Sequence, residues 1–149
     1  MALEIDSLRL AGIDDRNIST IRQYEAYLQS VLPPTEIIRD FLIDVDMQPV
    51  LSDLYLFTEN FLIEVPDFVT FYDGKSHTKK LSFTIHPLKN AIVFLNQKIS
   101  EATDKYPRTV EVNIRFRTGT AFSFSEMKEN SQKLEYISHT YLIPNIVRS

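Results

Sequence analysis

Residues Leu54 to Val65 read LYLFTENFLIEV, two apolar runs on either side of Thr58-Glu59-Asn60. A three-residue polar joint between two short runs rich in Leu, Phe, Ile and Val is the pattern of a β-hairpin. That assignment divides the chain. Before it the apolar residues recur at helical spacing, and from Asp53 onward the period drops to two.

Upstream, Ile18, Ile21, Tyr24, Leu28 and Val31 or Leu32 recur at steps of three and four, predicting a helix over 14–32. Asp14 or Asp15 caps its start, and Pro33-Pro34 ends it. A second short helix is expected in TEIIRDFL, capped by Thr35, with Ile37, Ile38, Phe41 and Leu42 available for packing. The segment DVDMQPV then reads as an irregular link.

Downstream, FVTFY (68–72) closes on Asp73-Gly74, and LSFTIH alternates Leu81, Phe83 and Ile85 with Ser82, Thr84 and His86 before Pro87. AIVFLNQKI suits a strand beginning near Ala91, with a helix running to about Thr103 as the competing assignment. TVEVNIRFRT alternates most cleanly. Val110, Val112, Ile114 and Phe116 point one way, and Glu111, Asn113, Arg115 and Arg117 the other. Gly119 turns the chain into Phe122 and Phe124, giving a second hairpin. From Ser125 a final helix is expected, with Met127, Leu134, Ile137 and Tyr141 on one face and Pro144 as its stop. The order is two helices, about seven strands, then one helix. The expected fold is α+β: a helical N-terminal extension over 1–49, then a bent antiparallel sheet or partly open barrel over 50–149, capped by a C-terminal helix.

Composition narrows the chemistry. The chain has 149 residues, 44% hydrophobic and 24% charged, with a formal charge of −4, the balance of an ordinary globular protein. No cysteine is present, which excludes disulfides, thiolate nucleophiles and Cys-based zinc sites. Three glycines leave little material for a phosphate-cradling loop or a G-x-S-x-G elbow. The net negative charge, without a basic tail, argues against nucleic acid as a partner. The opening MALEIDSLRL carries Glu4 and Asp6 where a signal peptide wants basic residues, and the longest apolar run is Ala91–Leu95, far short of a membrane span. A cytoplasmic protein without membrane insertion is the expectation.

Three segments carry a family resemblance. LYLFTENFLIEV resembles the early hairpin LYLT..RLIF of the GRAM and bacterial branches of the pleckstrin-homology-like superfold, with one residue more and Phe61 in place of a basic residue. IHPLKNAI (Ile85–Ile92) is similar to their mid-domain IPL..I, with His86 inserted. VNIRFRTGTAFSFSEM (Val112–Met127) is similar to the late I.I.T..G..F.F that precedes the last helix. The resemblance spans roughly residues 50–146 and implies a seven-stranded bent sheet closed by a C-terminal helix. It also implies a binding domain for phosphoinositides, peptides or proteins, and only seldom an enzyme. Lipid-binding members carry a basic cluster in the first strand loop. Here that loop is Thr58-Glu59-Asn60, whose charge is negative.

Two groups of residues suit an anionic ligand. The loop DGKSHTKK gathers Lys75, Lys79 and Lys80 beside His77, within reach of lipid headgroups or a phosphorylated partner; a solvated loop explains it equally simply. Arg115 and Arg117 lie with Asn113 on the wet face of the best strand, where a guanidinium can grip carboxylate or phosphate bidentately. Ser123 and Ser125 would add hydroxyl donors to that face. Asp44 and Asp46 form a D-x-D pair without a nucleotide-binding context, and His77, His86 and His139 share no metal-ligand spacing. No metal or cofactor is expected.

These residues describe a non-catalytic binding or adaptor module, contacting another protein, with an anionic lipid or phosphate as the alternative ligand. The N-terminal helices, with Tyr24, Tyr27, Leu28, Val31 and Leu32 on more than one face, offer a surface for a partner or a second copy. The competing reading is a small-molecule-binding or hydrolytic cone-shaped α+β domain with a cavity between sheet and helix. Such folds finish on a strand, so the last segment discriminates the two. An inhibitor acting through an acidic surface is a third reading.

Overall fold

The structure, a computed structural model, describes residues 15–45, 52–66, 82–127 and 131–147. The chain divides into two compact units, 1–86 and 87–149. The expected boundary at 49/50 falls within the first of them. Both units combine a helix with an antiparallel sheet, so the chain is α+β.

In the first unit, helix α1 (Asp15–Val31) precedes strands β1 (Asp40–Val45), β2 (Ser52–Phe57), β3 (Phe61–Val65) and β4 (Thr84–Pro87). The strands lie in the order β1-β2-β3-β4. Ile21, Leu28 and Leu32 pack with Ile38, Phe41, Leu54, Leu56, Ile63 and Val65 in one buried cluster, edged by Tyr24, Phe61, Phe83 and Ile85. The apolar stripe of α1 therefore meets the face of the sheet that Leu54 and Leu56 define. Glu25, one turn from Ile21 on the same stripe, is buried as well.

Helix α1 stops at Pro33-Pro34, and the chain returns along it. The Glu36 N–H donates to the Pro33 carbonyl (2.9 Å). The amide of Gln29 holds the return segment: its Nε2 donates to the Glu36 carbonyl, and its Oε1 accepts from the Ile38 N–H at 3.1 Å. These bonds satisfy backbone groups that lack a ladder partner. The Glu36 side chain is buried too; Oε1 accepts from Asn60 Nδ2, while Oε2 has no hydrogen-bond partner. Glu36→Ala, which leaves the Asn60 amide unsatisfied, is expected to lose about 1–3 kcal/mol of stability. Glu36→Gln keeps the acceptor and removes the buried charge, so it should hold or raise the wild-type value. Urea midpoints of the two variants check this ordering.

One expected element is replaced. The helix predicted for TEIIRDFL does not form: Thr35 lies in the turn after the prolines, and Asp40–Val45 is strand β1. Its apolar positions suit a two-turn helix, but so short a helix carries the full nucleation cost for few hydrogen bonds. Its last three residues, Asp40, Phe41 and Leu42, instead join Ile43–Val45 in a ladder with β2, Phe41 opposite Leu56 and Ile43 opposite Leu54, and cover what would otherwise be an open edge.

The hairpin that decided the reading forms as expected. Phe57 pairs with Leu62, and Leu56 with Ile63. Thr58, fully buried, closes the joint. Its Oγ1 accepts from the N–H groups of Phe61 (2.9 Å) and Asn60 (3.3 Å), and its own N–H donates to the Phe61 carbonyl (2.9 Å). The alternation expected in LSFTIH holds from Ser82 to Ile85, where Phe83 and Ile85 edge the core while Ser82 and Thr84 are exposed, but not at His86, which is half-buried. His86 Nε2 lies 3.2 Å from Glu64 Oε1 across β3 and β4. FVTFY lies outside the described residues.

The second unit holds β5 (Ile92–Ser100), β6 (Thr109–Phe116) and β7 (Ala121–Met127), in that order in the sheet. The ambiguous run after Ala91 is thus a strand. Helix α2 (Ser131–Ile137) follows, continues as a π-helical turn over Ser138–Leu142 and ends in a 3-10 turn, Ile143–Asn145. Leu134, Ile137 and Tyr141 are buried as expected, and Pro144 sits in the terminating turn. The chain then extends, and the Val147 N–H donates to the Ile92 carbonyl at 2.8 Å beside a parallel bridge between Ile146 and Ile92.

Here Ser125 corrects the expected helix start. It is not a cap but a strand residue opposite Glu111, and Met127 pairs with Thr109. Strand β6 is long enough to hold β7 to its very beginning, so ladder bonds continue where the composition of SEMKEN suggests a helix. Gly119, at φ +94, makes the turn between them, where any Cβ would impose strain.

Candidate binding face

Side chains of β6 alternate strictly. Val110, Val112, Ile114 and Phe116 are buried, which turns Glu111, Asn113 and Arg115 to the opposite face. Register places neighbours on that face. Phe94, Asn96 and Lys98 of β5 stand opposite Arg115, Asn113 and Glu111. Ala121, Ser123 and Ser125 of β7 flank the same three residues on the other side. Phe94, Asn96, Lys98, Arg115, Ala121, Ser123 and Ser125 are exposed. Ser123 and Ser125 thus stand beside Asn113 and Arg115 on one surface, while Arg117 lies beyond the end of β6.

Its chemistry is mixed. The guanidinium carbon of Arg115 lies 5.8 Å from the centroid of the Phe94 ring, a cation–π arrangement that contributes on the order of 0.5–1 kcal/mol at an exposed site. Asn113 Nδ2 donates to Glu111 Oε1 at 3.2 Å. Lys98 faces Glu111 across the strands, an opposite-charge pair. The face thus offers one aromatic ring backed by a cation, with amides, hydroxyls and the Lys98–Glu111 pair around them.

Phe94 was not legible as a surface residue. The run Ala91–Leu95 reads as an unbroken apolar stretch that suits a strand or a helix. The register shifts between Ile92 and Phe94, and this bulge leaves Val93 45% and Phe94 48% exposed. One signal was present: five consecutive apolar residues cannot all face one core when side chains alternate.

The other predicted residues behave differently. Arg117 lies beyond the end of β6, and its Nε donates to the Asn90 carbonyl at 2.8 Å while its N–H donates to the Ala91 carbonyl at 2.8 Å. Asn90 adopts φ 52 there, so Arg117 braces a tight turn. Lys75, Lys79, Lys80 and His77 lie outside the described residues. Asp44 is in β1, opposite Asp53, and Asp46 is outside the described residues. Among the described residues no group of three His, Asp or Glu side chains is placed to hold a metal.

A second feature of this unit is a shallow, open concavity of about 590 Å3, lined by Arg108, Glu135, Tyr136 and His139. Arg108 Nη2 donates to Glu135 Oε1 at 2.7 Å, and its Nε lies 3.7 Å from Glu101 Oε2. The cation there is already met by two carboxylates. Sequence reasoning named none of these four as site residues.

Among the described residues no helix is long and apolar enough to cross a membrane. Comparisons with protein-family models, with curated proteins and with solved structures each return no match.

Proposed function

We propose that the chain is a non-catalytic binding module of the pleckstrin-homology-like kind, acting in the cytoplasm and engaging an acidic segment of another protein. The observation that carries this reading is the Phe94–Arg115 pair, an exposed aromatic ring and cation on a sheet face that also carries Asn96, Asn113, Ser123 and Ser125 and the opposed charges of Lys98 and Glu111. Aromatic and arginine side chains are the ones that dominate protein interfaces. The strand order supports the superfold: four strands in sequence order, then three in sequence order, then a helix. The helical turns over 131–145 that follow β7 support this reading, since the superfold places its covering helix after the last strand. Lys75, Lys79 and Lys80 belong to the proposal as the second basic element, and Arg117 as the residue that shapes the neighbouring turn.

The test is a titration of isotope-labelled protein with acidic peptides, phosphorylated peptides, soluble inositol phosphates and anionic vesicles at two salt concentrations. Acidic peptides are expected to shift the amides of Phe94, Asn113 and Arg115, with weaker affinity at higher salt. Arg115→Ala should reduce that affinity by about tenfold or more, and change stability by no more than about 1 kcal/mol, the size of the lost contact with Phe94. Shifts caused by vesicles alone, or peptide shifts that leave residues 94–115 unmoved, would reject the assignment.

A further inference from the structure

The outer edge of β5 is a separate surface from the face just described. The Arg117 N–H donates to the Ala91 carbonyl, and the Phe116 N–H to the Thr120 carbonyl, so odd-numbered residues of β6 turn their backbone groups towards β5. In an antiparallel ladder their partners Phe94, Asn96, Lys98 and Ser100 reciprocate, and Leu95, Gln97 and Ile99 present N–H and C=O away from β6. Among the described residues no backbone group pairs with those three. That edge is competent to take a strand, because the chain's own Val147 already pairs there, at Ile92. It also carries no proline, and Ile99 is 42% exposed beside it. Open edges of this length are a liability that folded proteins usually cover.

We infer that the occupant of this edge is β5 of a second copy, paired antiparallel about a two-fold axis through Gln97. The sequence of the strand selects that register. Centred on Gln97, Leu95 meets Ile99 of the other copy on one face, and Asn96 meets Lys98 on the other, so apolar faces apolar and no like charges oppose. Leu95, Gln97 and Ile99 then exchange about six backbone hydrogen bonds with the second copy. A centre at Lys98 sets Lys98 against itself, which is unfavourable. A centre at Leu95 drives Lys98 onto Ile92, whose carbonyl Val147 occupies. A centre at Asn96 pairs Ile99 with Val93 inside the bulge, where the ladder is irregular. The sheets of two copies become continuous, an isologous contact that closes on itself.

Sedimentation and light scattering over a wide concentration range test this on the full chain. The wild type is expected to pass from one to two copies as concentration rises. Ile99→Pro removes an outward N–H without touching the β5–β6 ladder. It should weaken association by about tenfold or more, with the circular dichroism spectrum preserved. Register is read separately. The chain has no cysteine, so Asn96→Cys and Lys98→Cys each introduce a single thiol. Those positions would stand about 4.5 Å apart between Cα atoms, within the ~4.4–6.8 Å span of a disulfide. Mixing the two variants under diamide should yield the mixed disulfide in excess of either homodisulfide. A mass that stays monomeric at every concentration overturns the inference. So does a dimer that Ile99→Pro leaves intact, or a mixture that gives no excess of the mixed disulfide.

Discussion

Phe124→Ala is expected to destabilise the second unit by about 3–5 kcal/mol. Phe124 is 2% exposed, pairs with Val112 across β6 and β7, and stacks on Phe122 with centroids 5.9 Å apart. Phe122 in turn meets Phe116 edge-on at 5.7 Å. Helix α2 packs over β6 and β7 with Leu134 and Ile137 buried, so truncation opens a cavity that cannot collapse without moving a helix. Loss of the stacked ring adds to the transfer term. The control is the adjacent residue on the other face: Ser123→Ala should stay within about 0.5 kcal/mol. Amide exchange of β6 and β7 reads the difference directly, and near-equal protection in the two variants would mean that the aromatic cluster does not hold the sheet to the helix.

Leu56→Ala should cost the first unit about 2–5 kcal/mol. Leu56 is fully buried at the centre of β2, with Phe41 opposite it on one side and Ile63 on the other. It belongs to the cluster that contains Ile21 and Leu28 of α1, so the same side chain ties three strands to the helix. Leu56→Met, which nearly conserves volume, should cost less than about 1.5 kcal/mol. Exchange rates of β2 and β3 amides, together with urea midpoints, separate the two variants. A Leu56→Ala loss no larger than that of Leu56→Met would count against a close-packed helix–sheet contact here.

Much of this architecture follows from local pattern. The helix over Asp15–Val31 is written in a stripe at three- and four-residue steps closed by two prolines. The β2–β3 and β6–β7 hairpins are written in strict alternation around Thr58-Glu59-Asn60 and Gly119. In these elements, the period, the breaker and the burial point to the same answer. The final helix is legible in its buried face, although its start is not, because the ladder between Thr109 and Met127 outcompetes a cap at Ser125. Arg115 is legible as an outward residue for the same reason that Val112 is legible as an inward one.

What the sequence by itself determined is therefore the set of segments whose hydrogen-bond partners lie close by in the chain: one helix, two hairpins, and the alternation that sends Arg115 outward and Phe124 inward. Tertiary structure alone decided that the end of TEIIRDFL, Asp40 to Leu42, serves as a strand, because β2 offered Phe41 a ladder partner in Leu56 that no local signal announces. It also decided that Phe94 is exposed. The bulge arises from the mismatch between β5 and β6, and neither strand encodes it separately. Arg117 likewise found its partner at Asn90, a carbonyl 27 positions away. Periodicity reports which side of an element is apolar. Which groups of other elements arrive to satisfy its backbone and its charges depends on non-local geometry, where most of the binding face is made.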